Sequence, residues 1–123
     1  MAICDKVGCK RTAEVAPKVI VPHAAGAPFE PERQHGVLLG LKLCRRCCLN
    51  IDPVEQASHE NFRTFVIEAA KIRAKNRGLP FEAPDFTRAR VERVRLDSAE
   101  YRRLAPKLDE QPAPLPAAAP TLQ

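Results

Sequence analysis

The sequence predicts an α+β fold: a β-hairpin bracketed by two cysteine pairs, then a long helix, then a short strand and helix. Three observations carry that prediction. Five cysteines fall as an early pair, Cys4 and Cys9, and a late cluster, Cys44, Cys47 and Cys48. Between them lie two aliphatic segments of strand character, Glu14 to Val21 and Val37 to Leu43. From Asp52 to Gly78 the chain shows a helix start, a 3.6-residue apolar period and a helix stop.

Length and composition bound the rest. A chain of 123 residues makes one domain plus tails. At 45% hydrophobic with no Trp and one Tyr, it is neither a weakly hydrophobic disordered chain nor an aromatic-rich single-strand binder. No run approaches the roughly 18 apolar residues of a membrane span. Met1, Ala2, Ile3, Cys4 and Asp5 begin no apolar signal segment, so the expectation is a cytoplasmic protein with reduced thiols. The formal net charge is +5. Residues 1–50 hold 8 basic and 4 acidic side chains, residues 51–78 hold 5 and 4, and residues 79–123 hold 7 and 7. The excess therefore sits in the cysteine-bearing half. Four thiolates around one Zn²⁺ would add −2 and leave about +3. That charge is compatible with nucleic acid without demonstrating it.

The cysteine spacing points to metal. Each close pair offers two ligands from one tight turn, and the 34 residues between Cys9 and Cys44 leave room for a hairpin. Cys4, Cys9, Cys44 and Cys47 form the predicted tetrathiolate zinc site. In the first turn, Gly8 can take positive φ, while Lys6, Lys10 and Arg11 offset sulfur charge. The competing reading is a set of reduced, idle cysteines. A redox dithiol at Cys44 and Cys47 would leave Cys4 and Cys9 unexplained. Cys48 reads as a small buried hydrophobe, with a substitute ligand as the alternative. Pro17 places the first strand at a sheet edge or starts it after the proline.

The order of cysteine turn, strand, loop, strand, cysteine turn and helix resembles the treble-clef group of zinc folds over roughly residues 4 to 60. In that group the last two ligands ride on the first turn of a helix. The first pair departs from the commonest knuckle, with four residues between ligands instead of two. A more distant resemblance is to nucleases of the HNH class, which use the same frame. His23 falls where that family's general base would sit. Pro22, Gly40 and Cys48 stand where the family carries its Asp, its structural Asn and its final metal-binding His. Those departures remove the hard ligands that such chemistry needs. His35, Asn50 and His59 form an alternative polar set, read as coincidence unless the fold joins them.

The long connection from Pro22 to Gly36 carries Phe29 among prolines, either a partner anchor or a side chain folded back on the core. Asp52-Pro53-Val54-Glu55 starts a helix that runs unbroken or restarts near Ser58. Phe62, Phe65, Val66, Ala69 and Ile72 form its predicted apolar face, and Gly78, Leu79 and Pro80 its stop. Lys71, Arg73, Lys75 and Arg77 read as a solvated basic face, with phosphate contact as the alternative. Arg88 to Leu96 alternates as a single strand. Asp97-Ser98-Ala99-Glu100 caps a short helix bearing Tyr101, Leu104 and Leu108.

One zinc-stabilised domain is thus expected over residues 1–108, with a zinc hairpin at 1–50, a helix at 51–78 and an accessory segment at 85–108. A Pro/Ala-rich disordered tail is expected at 109–123. The functional expectation is a small zinc-binding adaptor or regulatory protein that binds a protein partner without catalysis. A DNA- or RNA-binding zinc protein and a divergent HNH-like nuclease are the alternatives. Candidate contacts to a partner or nucleic acid are Arg45, Arg46, Arg88, Arg90, Arg93, Arg95 and Phe29.

Overall fold

The computed structural model describes residues 2–114. The tail expected at 109–123 lies mostly outside the described residues. A 3-10 helix runs through Ala105–Glu110 at the boundary drawn for that tail. Three strands form one antiparallel sheet: β1 (Val15–Pro22), β2 (Gln34–Leu38) and β3 (Arg90–Arg95), in the order β2-β1-β3. Between β2 and β3 come α1 (Arg45–Leu49), α2 (Pro53–Ser58) and α3 (Glu60–Arg77), and α4 (Ala99–Leu104) follows β3. The α+β expectation is met. No described helix is long and apolar enough to cross a membrane.

The central position of β1 corrects the edge assignment drawn from Pro17. The carbonyl of Pro17 accepts from Leu39 N–H at 2.9 Å on the β2 side. The reciprocal bond is the one a proline cannot donate. The ladder breaks there. The chain leaves the sheet after Leu38, passes through exposed Gly40, and rejoins β1 by a single bridge from Leu43 to Val15. The second strand is correspondingly Gln34–Leu38, not Val37 to Leu43. Pro17 is tolerated inside a central strand because its missing donor faces this interruption.

A central strand between two covered faces has no polar parity. Along β1 every residue is buried except half-buried Lys18. Val19 and Val21 join Val37, Leu39, Ala57, Phe62 and Val66 in the core beneath α2 and α3. Ala16 turns the other way, to Leu38 and Val94, where Tyr101, Leu104 and Leu108 cover them. Lys18 lies on that second face. Its ammonium reaches Glu100 Oε2 at 2.9 Å and Glu92 Oε1 at 3.8 Å, which ties α4 to the sheet. Gly36 lies against it, and a Cβ there would meet Lys18 Cε at 2.5 Å.

The long helical segment restarts, as one of its two readings held. Asp52 Oδ1 caps α2 by accepting from Val54 and Glu55 N–H at 3.0 and 3.2 Å. His59 then turns extended, with ψ 134°, and separates α2 from α3. The turn has a packing reason. Ala57 and Phe62 would point about 140° apart on one continuous helix, yet both are buried in the same cluster. Phe62, Val66 and Ala70 are the buried residues of α3. Ile72 is a correction: it falls at the margin of that face and is 60% exposed. Gly78 ends α3 at φ 65°, and Leu79 N–H reaches Ala74 O at 2.9 Å, the reach-back of a Schellman stop. Leu79 adds no apolar closure to this stop, since it too is 60% exposed.

Phe62→Ala is expected to lower the unfolding free energy of the metal-loaded chain by about 3–5 kcal/mol. Ile72→Ala, on the face predicted from sequence, should change it by less than about 0.5 kcal/mol. Guanidinium titration of both variants checks the pair.

Candidate metal centre

The two cysteine turns meet because the backbone around them is tied. Residues 2–13 close on themselves: Ile3 bridges Thr12, Cys4 N–H donates to Arg11 O at 2.8 Å, and Ala13 N–H donates to Ala2 O at 2.9 Å. Gly8 takes φ 84° within this turn, the left-handed backbone expected of it. Asp5 then clamps the first turn to the second. Its N–H donates to Lys42 O at 2.8 Å, and its carboxylate Oδ2 accepts from Lys42 N–H at 2.7 Å. Sequence reasoning passed over Asp5. Its only signal there was a carboxylate beside the first ligand.

The result is one group of four thiols. The Sγ atoms of Cys4, Cys9, Cys44 and Cys47 all lie within 4.8 Å of one another. Cys9 Sγ and Cys44 Sγ are 3.9 Å apart. A disulfide needs about 2.05 Å. A tetrahedron with metal–sulfur bonds of about 2.3 Å has sulfur–sulfur edges of about 3.8 Å. The thiols therefore fit a tetrahedral metal ion. Cys44 is the N-cap of α1, and its sulfur accepts from Cys47 N–H at 3.4 Å. That bond, the largest influence on it, pushes the Cys44 thiol down to about 7. Burial, then the neighbouring thiols, pushes Cys47 up to about 12. Four thiols without a cation cannot all ionise together. A divalent metal ion supplies the missing charge and releases their protons on binding.

Cys48 is not part of this group. It is 1% exposed and packs with Val15 and Leu43 against the cluster. Burial pushes its thiol up, and nearby Arg93 offsets part of that push.

The proposed contact residues do not form one surface. Arg88 and Arg90 converge on Phe29, with guanidinium carbons 5.3 and 3.6 Å from the ring centroid. Phe29 thus stacks on these arginines beside the start of β3 and belongs to none of the core clusters. Arg95 grips Asp97 through two hydrogen bonds of 3.1 and 3.0 Å, and Arg45 lines a shallow groove beside them. Arg46 is exposed on α1 and does not line that groove.

The histidines divide likewise. His23 and His35 line one cleft with Glu82, where His23 Nε2 lies 3.7 Å from the Glu82 carboxylate. Asn50 caps the end of α1 and His59 joins α2 to α3, and neither lines that cleft. The polar set of His35, Asn50 and His59 is not assembled. Among the described residues, the four cysteines are the one group of three or more His, Cys, Asp or Glu with metal-binding spacing. Comparison of the chain with protein families, with curated proteins and with solved structures finds no match.

His35 is the most perturbed of the histidines. Burial, then the Arg73 guanidinium and His23, push it down from 6.5 to about 4. Above about pH 6.5 the imidazole is neutral in both folded and unfolded chains. Below it, the unfolded chain takes up a proton that the folded chain refuses. Stability should therefore fall between about pH 6.5 and 4, by on the order of 3 kcal/mol in full. Metal-loaded His35→Gln should lose that part of the pH dependence. The difference between the two denaturation series isolates it from acid release of metal, and parallel series would refute the assignment.

Proposed function

We propose that the chain is a small zinc-binding adaptor or regulatory protein that binds a protein partner through the surface its metal centre holds in place, without catalysis. The convergence of four sulfurs carries this reading. An all-thiolate set is soft and selects zinc over the hard divalent ions. Four protein ligands fill a tetrahedral zinc and leave no position for a substrate. The fold around it supports the treble-clef likeness: a cysteine turn, an antiparallel β1–β2 pair, and a second cysteine turn opening α1.

The surface favours protein over nucleic acid. Ile3, Val7 and Leu49 lie on the two cysteine-bearing segments and are 62%, 75% and 68% exposed. Such side chains suit an apolar contact. Several arginines that would track phosphates are engaged within the chain, at Phe29 and Asp97. The nuclease reading loses support at Cys48, where a metal-binding histidine would stand and a buried thiol packs instead.

Protein purified without added metal should carry one zinc per chain, with four thiols protected until chelation. Cys48 should react only on unfolding. Cys9→Ser should weaken zinc retention by at least tenfold in chelator competition. A co-purifying partner should bind with little salt dependence, and Val7→Glu with Leu49→Glu should weaken it at least tenfold at unchanged zinc content. Binding to DNA or RNA that collapses between about 50 and 200 mM salt would instead favour the nucleic-acid reading. Metal-dependent nicking abolished by His23→Ala at constant zinc content would overturn the non-catalytic one.

A further inference from the structure

The β1–β2 connection, the start of β2, the second half of α3 and the segment after it line a cleft of about 500 Å³. No cysteine of the metal centre lines it. Its polar floor is His35, only 5% exposed, whose imidazole has no hydrogen-bond partner among the described residues. Its nitrogens are not sealed from solvent, so a ligand atom or water can bond them. Arg73 and Arg77 project from α3 into the same cleft one turn apart. Arg73 donates one hydrogen bond, from Nη1 to Gln34 O at 3.0 Å, which fixes its guanidinium over the floor. Neither arginine has a carboxylate within ion-pair distance among the described residues. Burial and then Arg77 disfavour the charged form of Arg73, and burial and then Arg73 that of His35, so positive charge is crowded on this side of the cleft.

From this juxtaposition we infer that the His35–Arg73–Arg77 cleft binds the phosphate group of a small organic phosphomonoester. A dianion matches the anchored guanidinium of Arg73 beside the exposed one of Arg77, and guanidinium is the side chain best shaped for phosphate oxygens. Neutral His35 can donate one further hydrogen bond from its ring N–H. The volume exceeds what a bare phosphate fills and lies in the range of sites for larger small molecules. Ala70, Ala74, Leu79 and Pro80 supply an apolar wall for the organic part. Two carboxylates also line the cleft, Glu32 and Glu82, both exposed. They oppose the continued negative charge of a nucleic-acid backbone but tolerate one buried phosphate with a hydroxyl-bearing or cationic remainder. His23 already holds Arg33 O through Nδ1 at 3.1 Å and sits beside Glu82, so it borders the site without being free to grip the phosphate.

The test is calorimetric titration of the full, metal-loaded chain with phenyl phosphate, inorganic phosphate, phenol and a short DNA duplex. Phenyl phosphate is expected to bind saturably below 1 mM, roughly the upper end of specific small-molecule affinity. Inorganic phosphate should bind at least fivefold more weakly, and phenol not at all. Arg77→Gln should weaken phenyl phosphate at least fivefold while leaving the unfolding midpoint in place. Arg73→Gln should do the same, and should also disturb β2 if its bond to Gln34 matters for folding. The His35 ring resonances should shift on phenyl phosphate addition. Absence of saturable binding, undiminished binding by Arg77→Gln, inorganic phosphate binding as tightly as phenyl phosphate, or preference for the duplex would each overturn the assignment.

Discussion

Four sulfurs brought within 4.8 Å fix where the first cysteine turn must lie and where the hairpin must end. The turn at Cys4–Cys9 and the turn at Cys44–Cys47 are separated by 34 residues. Closing a loop of that size costs about 3 kcal/mol beyond a constant. Structural zinc in small modules contributes on the order of 10 kcal/mol, so the proposed ion outweighs the closure. The backbone clamp between Asp5 and Lys42 holds the same closure in register. Val15, Leu43 and Cys48 then find a shared core beside the cluster. The cysteine cluster and this small core are one packed unit, and β1 runs from it into the two larger cores.

The sheet shows how a locally unfavourable residue can be accommodated by topology. A proline in a central strand removes one ladder bond. Here that bond would fall where β2 has already left the sheet, between Leu39 and the lone bridge at Leu43. Gly40 sits in the same departure, exposed and unobstructed. The strand is kept central by what lies on either side of it: α2 and α3 on one face, α4 and the following 3-10 turn on the other.

The elements most legible in the sequence were those set by local chemistry. Cysteine pairs, the Asp52 cap, the Gly78 stop and the Ser98 cap each act within a few residues, and each stands where its residues place it. The strand count and the order of elements followed from apolar patterning. What could not be read was set by distant contacts. The edge assignment at Pro17 failed because β3, some 70 residues later, pairs with β1. Ile72 and Leu79 looked apolar and periodic, but no element packs over them. The cleft at His35 was invisible because its residues come from β2, α3 and the segments flanking them. Asp5 was overlooked for the same reason, since its partner lies 37 positions away.

The pairing of β1 with β3 has a consequence for how the chain comes off the ribosome. β1 can meet β2 as soon as residue 38 has emerged, across the long loop of a local hairpin. Its other edge, a row of Val15 to Ile20, waits for Arg90 to Arg95. During that interval an aliphatic strand stands with one row of backbone groups unpaired, the geometry most open to wrong pairing between chains. The metal turns lie wholly within the first 47 residues. Early capture of the proposed ion would hold the hairpin in a defined shape through the exposed interval, and metal supply during synthesis would then govern yield as well as final stability. β3 then closes the edge with a sequence of alternating arginine and valine broken by Glu92, too charged to recruit a fourth strand.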